Sequence, residues 1–185
     1  ELPPRAQMSS DLLTQRVEAF EKILNDLIEI SRYQSGSVEV NLEELSVRQL
    51  VETMASRKGI DLRLVEVEDA TVVVDVRRFQ QIFENINKNA ELYAGGLDAI
   101  RGVRSESNYE LHFDDSGIGL TIDERDKIFE PFLRGEHHAA VPGSGLGLTI
   151  TLEHARSMGG ELVASTSPTG GARFTLRLNV AATQS

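Results

Sequence analysis

The chain has 185 residues, and 29 acidic against 19 basic side chains give it a formal charge of −10. That length suits one domain or a domain with an appendage, and 40 % hydrophobic with 26 % charged residues describes an ordinary globule. The lack of cysteine excludes disulfide scaffolds and thiolate chemistry, the acidic balance argues against a general nucleic-acid binder, and no apolar run approaches the roughly 20 residues that span a bilayer.

The first predicted element is a long helix capped at Ser10 or Asp11 and uninterrupted by glycine or proline until Gly36. Leu13, Val17, Phe20, Leu24 and Leu27 recur at spacings of 4, 3, 4 and 3, a heptad seam that Ile23, Ile28 and Ile30 widen. A helix of about 25 residues spans nearly 40 Å, long for packing on so small a domain. The seam therefore calls for a helix outside this chain or a second copy. After the break at Gly36, residues 38–42 alternate like a strand, and Ser46 with Gln49 resembles a capping box opening a helix to about Ser56. Alternation predicts strands over 60–67 and 71–74, then a helix over 77–93. A hairpin follows over 97–104 and 109–113, and a short helix over 122–128. A helix over 147–158 stops at Gly159-Gly160, and strands over 161–165 and 173–178 flank the turn at Ser167–Gly171. This order gives the α/β class: a two-layer sandwich whose mixed sheet is covered by helices on one face.

The helix over 77–93 carries the first chemical signal. Phe79, Ile82, Phe83, Ile86, Ala90 and Tyr93 form its core face, with Arg78, Gln81, Asn85 and Asn89 in a stripe beside it. Asparagine is a poor helix former and a half-buried amide needs partners. Two of them one turn apart suggest a polar cleft whose oxygens suit Mg²⁺; a pair of packing residues is the plainer alternative. Asp115-Ser-Gly117-Ile-Gly119 comes off a strand end, where a carboxylate accepts from an exocyclic amine and glycines let a planar base approach. Gly143-Ser-Gly145-Leu-Gly147-Leu148 leads into a helix N-terminus, a nest of N–H groups suited to phosphate. It is neither a Walker motif nor a dinucleotide fingerprint.

Taken in order, Asn85…Asn89, Asp115-x-Gly117-x-Gly119, Ile128-Phe-Glu-Pro-Phe132-Leu-Arg134 and Gly143-x-Gly145-x-Gly147-Leu resemble the N, G1, F and G2 boxes of two-component sensor histidine kinases. Thr169-Gly-Gly171-Ala-Arg-Phe174 resembles the last, looser glycine box. The resemblance covers residues 38–180. Leu24–Arg32 resembles the end of the second helix of the family's dimerisation hairpin, in wording most similar to actinobacterial osmosensor-like members. What the resemblance implies is an ATP-binding fold shared with Hsp90 and MutL, with ATP and Mg²⁺ as cofactors. By it, residues 1–36 are part of a dimerisation helix and residues 37–185 the catalytic ATP-binding domain. Asp115 would hold the adenine amine, with Gly117 and Gly119 shaping the base pocket and Tyr93, Leu146 and Leu148 among the ATP contacts. Asn85 and Asn89 would handle Mg²⁺ and phosphates. Gly143, Gly145 and Gly147 would form the hinged end of a lid that Phe129 and Phe132 anchor at its start, and Arg134, with Asn85, would be catalytic. The implied partners are a phosphoacceptor histidine hairpin and a response regulator, with a homodimer in the full-length parent and no nucleic acid. With no membrane segment and no signal peptide at Glu1–Arg5, a cytoplasmic location is expected for this stretch of what the family would make a membrane or soluble sensor.

Two places depart from the family pattern. Leu92 stands where a lysine is common, three residues after Asn89. None of the four histidines, His112, His137, His138 and His154, has the acceptor's His-Glu/Asp-x-x-x-Pro setting. His112 reads as a strand residue, His154 as part of the helix after the third glycine box, and His137-His138 as a solvated loop pair. The competing readings are an ATPase related to Hsp90, against which Asn85 stands where those relatives carry a glutamate, and a degenerate nucleotide-binding or dimerisation module.

Overall fold

The computed structural model describes residues 4–105, 108–133 and 144–182. Helix α1 (Pro4–Gln34) begins before the Ser10 or Asp11 cap that the sequence suggests. Proline is compatible with a first helical turn, where its missing N–H would have no partner, and nothing from there to Ser10 breaks the helix. Beyond it come β1 (Glu43–Ser46), α2 (Val47–Arg57), a 3₁₀ turn (Leu62–Leu64), β2 (Val65–Val67), β3 (Thr71–Val74) and α3 (Val76–Ala94). The chain continues through β4 (Ala99–Arg104), β5 (Asn108–Asp114), α4 (Ile122–Lys127), α5 (Gly147–Ser157), β6 (Glu161–Thr166) and β7 (Ala172–Asn179). No helix among the described residues is long and apolar enough to cross a membrane.

Two strand expectations are corrected. Residues 38–42 are unpaired, and the strand lies just beyond them, with Glu43 opposite Val74 and Ser46 opposite Thr71. Strand β3 has only four residues and ends at Val74; the next residue, Asp75, instead receives the Asn41 N–H on its Oδ2 at 3.0 Å. Of residues 60–67 only the last three pair. Asp61 accepts from the Arg63 N–H at 2.9 Å and ion-pairs its guanidinium, which coils residues 62–64 into the 3₁₀ turn. The Ser46 cap is present, its Oγ accepting from the Gln49 N–H at 3.2 Å.

The main sheet has the order β2-β4-β5-β7-β6, antiparallel except for the parallel pair β2-β4. Alternation then decides the two faces. Tyr109, Leu111 and Phe113 of β5, with Phe174, Leu176 and Leu178 of β7, are buried against Phe79, Ile82, Phe83 and Ile86 of α3 and against Ala155 and Met158. Intervening residues carry ion pairs on the far face, among them Arg173 to Asp114 at 2.6 Å and Arg177 to Glu110 at 2.9 Å. His112 is there too, with Nδ1 at 2.9 Å from Thr175 Oγ1. Helices cover one face only, as the sequence order implies.

Helix α1 has two different faces. Leu13, Val17, Phe20, Leu24 and Leu27 are 39–65 % exposed, so the heptad seam is unpartnered in a single chain. Ile23 and Ile30, which the sequence pattern adds to that seam, point elsewhere: they pack with Leu146 and Ile150. At 100° per residue, the stripe Ile23, Asp26, Ile30, Tyr33 lies roughly 120° round the helix from the seam. At its C-terminal end the contact turns polar. Arg78 Nη1 donates to the Tyr33 hydroxyl, which lies 2.5 Å from His154 Nδ1. Arg78 also donates to the Glu39 carbonyl at 2.7 Å and faces Asp75 at 3.5 Å. His154 is fully buried, and its Nε2 lies 3.5 Å from Glu29 Oε1 without a hydrogen bond.

Burial first, and then the Arg78 charge, push the His154 imidazole down to about 4, outweighing the opposing Asp75 carboxylate. The folded chain therefore holds His154 neutral while the unfolded chain protonates it near pH 6.5. Its contribution to stability is complete above that pH and is lost as pH falls toward 4. Comparing wild type with His154→Gln, which cannot titrate there, should show an extra loss in wild type of about 2 kcal/mol between pH 8 and 5. Urea midpoints at the two pH values measure it; identical losses would contradict the buried neutral imidazole.

Candidate functional site

A cavity of about 540 Å³ opens between α3, the loop after β5, the start of α5 and the start of β7. That volume is within the range of small-molecule sites, roughly 300–1,000 Å³. Its two ends have different chemistry.

At one end Asp115, 7 % exposed, follows directly on β5. Its Oδ1 receives the N–H groups of Gly117 and Ala172, each at 2.9 Å. With Oδ1 engaged by two backbone donors, Oδ2 is the atom left for an incoming donor. The loop around it is tightly fitted. A Cβ at Gly171 would lie 2.1 Å from the Asp115 carbonyl oxygen, and one at Gly119, where φ is +73°, would lie 2.6 Å from the Gly170 carbonyl oxygen. Gly117 is less restricted, since its Cβ would meet Ala94, Asp115 and Tyr93 at 3.1–3.2 Å. Apolar walls come from Leu120, Ile128, Leu148 and Phe174, with Tyr93 on α3.

At the other end Asn85, Lys88, Asn89 and Leu92 line the cavity from α3 and Gly145 and Gly147 from the head of α5. Asn85 is tied down: its Nδ2 donates to the Gly147 carbonyl at 3.3 Å and to Thr151 Oγ1 at 3.1 Å, fixing α3 to the first turn of α5. That half of the asparagine stripe thus has a packing role as well as a place on the cleft. Helix α5 has no side-chain cap, so its first-turn N–H groups are available to a ligand from the cleft side. Gly145 is required on backbone grounds: φ is +71° and a Cβ would lie 2.9 Å from Phe132. Its carbonyl accepts from the Phe132 N–H at 3.1 Å, so the ends of the intervening segment are clasped together.

The cavity gathers most of the residues singled out in the sequence: Asn85, Asn89, Tyr93, Asp115, Gly117, Gly119, Gly145, Gly147 and Leu148. Leu146 is a correction. It is fully buried with Ile30 and Ile150, on the side of α5 turned toward α1, and does not line the cavity. Phe129 packs on the core as an anchor should, whereas Phe132 is 58 % exposed with φ at +64° and anchors only through its backbone. Arg134, Gly143, His137 and His138 lie outside the described residues. Lys22, Lys88 and Ser144 also line the cavity and went unread in the sequence. Lys88 sits inside the asparagine motif, and helical periodicity places it beside the stripe of Asn85 and Asn89. Lys22 carries no such local signal, since nothing near it in sequence links α1 to α3.

The donor set fits an adenine nucleotide: a carboxylate oxygen for an amine, apolar walls for a base, and an uncapped helix N-terminus for phosphate. Among the described residues no group of three His, Asp or Glu side chains could hold a metal alone. A cation here would take amide oxygens from the asparagines and the rest of its ligands from phosphate and water.

Fold and site together define an ATP-binding α/β sandwich. Residues 74–182 match the family described as histidine kinase-, DNA gyrase B-, and HSP90-like ATPase, and the chain belongs to that family. Within it, the chain is similar along nearly its whole length to sensor histidine kinases. It is 33 % identical to sensor histidine kinase MtrB of Mycobacterium leprae (strain TN) over 96 % of this chain and 34 % of that protein. It is 32 % identical to sensor protein KdpD of Escherichia coli (strain K12) over 95 % of this chain and 20 % of that protein. The chain thus spans about a third or less of the length of these curated relatives. Two solved structures share the fold at 22 % identity. Full-length ShkA in complex with AMPPNP has a TM-score of 0.78 over 98 % of this chain and 41 % of its own, and the histidine kinase AdeS of Acinetobacter baumannii has 0.74 over 98 % and 88 %.

The two asparagines should behave differently on truncation. Asn85→Ala removes two hydrogen bonds across the α3–α5 contact and should lower stability by about 1–2 kcal/mol. Asn89→Ala, with no such tie, should stay within about 0.5 kcal/mol of wild type. Urea unfolding without ligand measures both; equal losses would show that Asn89 too is a packing residue.

Proposed function

We propose that this chain is the ATP-binding kinase core of a sensor histidine kinase, which passes the γ-phosphoryl group of ATP to a histidine for relay to a response regulator. The observation that carries the reading is a single cavity with Asp115 Oδ2 at one end and the uncapped start of α5 at the other. In this reading Asp115 accepts from the adenine amine, Gly117 and Gly119 admit the base, and Tyr93 and Leu148 flank it. Asn89 and Asn85 face Mg²⁺ and phosphate oxygens, with the Gly145 and Gly147 backbone, joined by Gly143 and Arg134, around the phosphates. Bound ATP with Mg²⁺ would supply the phosphoryl group. The protein's task is positioning, neutralising charge and keeping water out. Residues 1–36 are then the end of a dimerisation hairpin and residues 37–185 the catalytic unit. The exposed seam on α1 supports pairing with the acceptor helix and a second copy in a longer parent.

Calorimetric titration tests the ligand. Asp115→Asn keeps one oxygen for the two backbone donors but presents an NH₂ to the adenine amine. It should weaken ATP more than tenfold, since a buried charge-assisted hydrogen bond is worth about 1.5–3 kcal/mol. GTP should bind poorly to wild type because guanine offers a carbonyl where adenine offers an amine. Mg²⁺ should tighten ATP binding in wild type and do so much less in Asn89→Ala. Equal affinity for ATP and GTP would sink the assignment of Asp115.

The reaction has its own test. Incubated with γ-labelled ATP, the chain should not label itself on histidine, because none of its histidines has the acceptor setting. With a separate dimerising hairpin that carries the acceptor, acid-labile label should pass to the hairpin. Binding of ATP without any such transfer would favour the degenerate nucleotide-binding module, and steady phosphate release into water would favour the ATPase.

A further inference from the structure

The cavity is not built from the sandwich alone, because Lys22 of α1 is among its lining residues. Contacts farther along the same helical face put it there. Asp26, one turn on, accepts from Ser144 Oγ at 3.3 Å, Ile23 and Ile30 pack on Leu146 and Ile150, and Tyr33 meets His154. Ser144 leads directly into α5, its Oγ accepting from the Leu146 N–H at 3.3 Å. Lys22 therefore enters the cavity beside the head of α5, at the end opposite Asp115.

That end needs positive charge. A nucleotide's phosphate chain carries several negative charges, whereas a helix N-terminus contributes only about half a positive one. Among the described residues lining the cavity, Lys22 and Lys88 are the cations and Asp115 and Glu124 the carboxylates. Leu92 occupies the α3 position one turn beyond Lys88 and offers no charge. Lys22 is exposed and unconstrained by the packing of α1, so its ammonium is free to follow a ligand.

We propose that Lys22 is a ligand of the nucleotide's phosphates, so that α1 completes the site against which it is docked. The proposal rests on the ATP-binding reading above. By linkage, a nucleotide that binds the docked chain more tightly must favour docking by the same factor. Nucleotide occupancy and the position of the long helix are then one equilibrium.

The test is titration of the whole chain with ATP and with adenosine, in wild type, Lys22→Ala and Lys22→Arg, with Asp115→Asn alongside. Lys22→Ala should weaken ATP about five- to tenfold, leave adenosine unchanged, and be largely rescued by Lys22→Arg. Hydrogen exchange over residues 23–33 should slow on adding ATP to wild type and change little in Lys22→Ala. Because Lys22 is exposed and alanine favours helix, the variant should keep the wild-type circular dichroism and unfolding midpoint. Unchanged ATP affinity in Lys22→Ala, with Asp115→Asn impaired, would overturn the role of Lys22 and leave the ATP reading standing. Equal losses for ATP and adenosine would overturn it too, by showing an effect on cavity shape. Failure of wild type to bind ATP at all would overturn the ATP reading itself.

Discussion

Asp115 is where three stretches of backbone converge, and the site depends on their closeness. Its Oδ1 joins the loop at Gly117 to the start of β7 at Ala172, and its own N–H donates to the Ala172 carbonyl at 3.0 Å. Its carbonyl accepts from Ser167 Oγ at 2.7 Å and from Thr169 Oγ1 at 3.2 Å. There is no room for a side chain where these strands of backbone cross, which is why glycine occupies both 119 and 171. The two glycine motifs, far apart in the chain, answer one steric requirement. One carboxylate oxygen is spent on the fold, and the other is thereby aimed and held for a ligand. Preorganisation of that kind reduces the ordering that binding would otherwise require.

The opposite end of the cavity is governed by the α3–α5 contact. Asn85 bonds the first turn of α5, and Leu146, just ahead of that turn, is buried against α1. The head of α5 thus touches the cavity, the asparagine helix and the long helix at once. Helix α1 presents its apolar seam to solvent on one face and makes this contact through another, about a third of a turn away, so pairing through the seam and docking on the sandwich do not compete for the same residues.

How far the sequence revealed this follows from the range of each signal. Helical periodicity found α3 with its core face and its polar stripe, because that pattern is written within one element. The glycine motifs marked their loops for the same reason. Strand limits were legible only where both partners were. Residues 38–42 alternate properly but face a four-residue β3 that has already ended, and Asp61 captures Arg63 where alternation suggested a strand. Leu146 shows a different limit. It sits between two cavity-lining glycines, yet a helix outside the sandwich claims its side chain. Ile23 and Ile30 fit the seam in sequence for the converse reason, since hydrophobic spacing cannot say which of two partners an isoleucine meets. Lys22 depends on that docking and on nothing near it in sequence.

The strength of the α1 contact bears on what it can do. Its fully enclosed apolar groups are few, chiefly Ile30, Leu146 and Ile150, each worth about 1.5–3 kcal/mol when buried. Against them stand the loss of freedom of a helix that is exposed along most of its length and the burial of His154 with one nitrogen unpartnered. Glu29 adds to the opposing side: burial, and then Asp26, raise its carboxyl above the usual range beside that same imidazole. Docking is therefore favoured by a small difference between comparable quantities. A difference of a few kcal/mol is within reach of a ligand that contacts one state and not the other. A larger apolar joint would hold α1 in place whatever filled the cavity, and a wholly polar one would not hold it at all. The mixture observed here, aliphatic beside the cavity and polar at the far end, gives a helix whose position a phosphate-bearing ligand has the energy to bias.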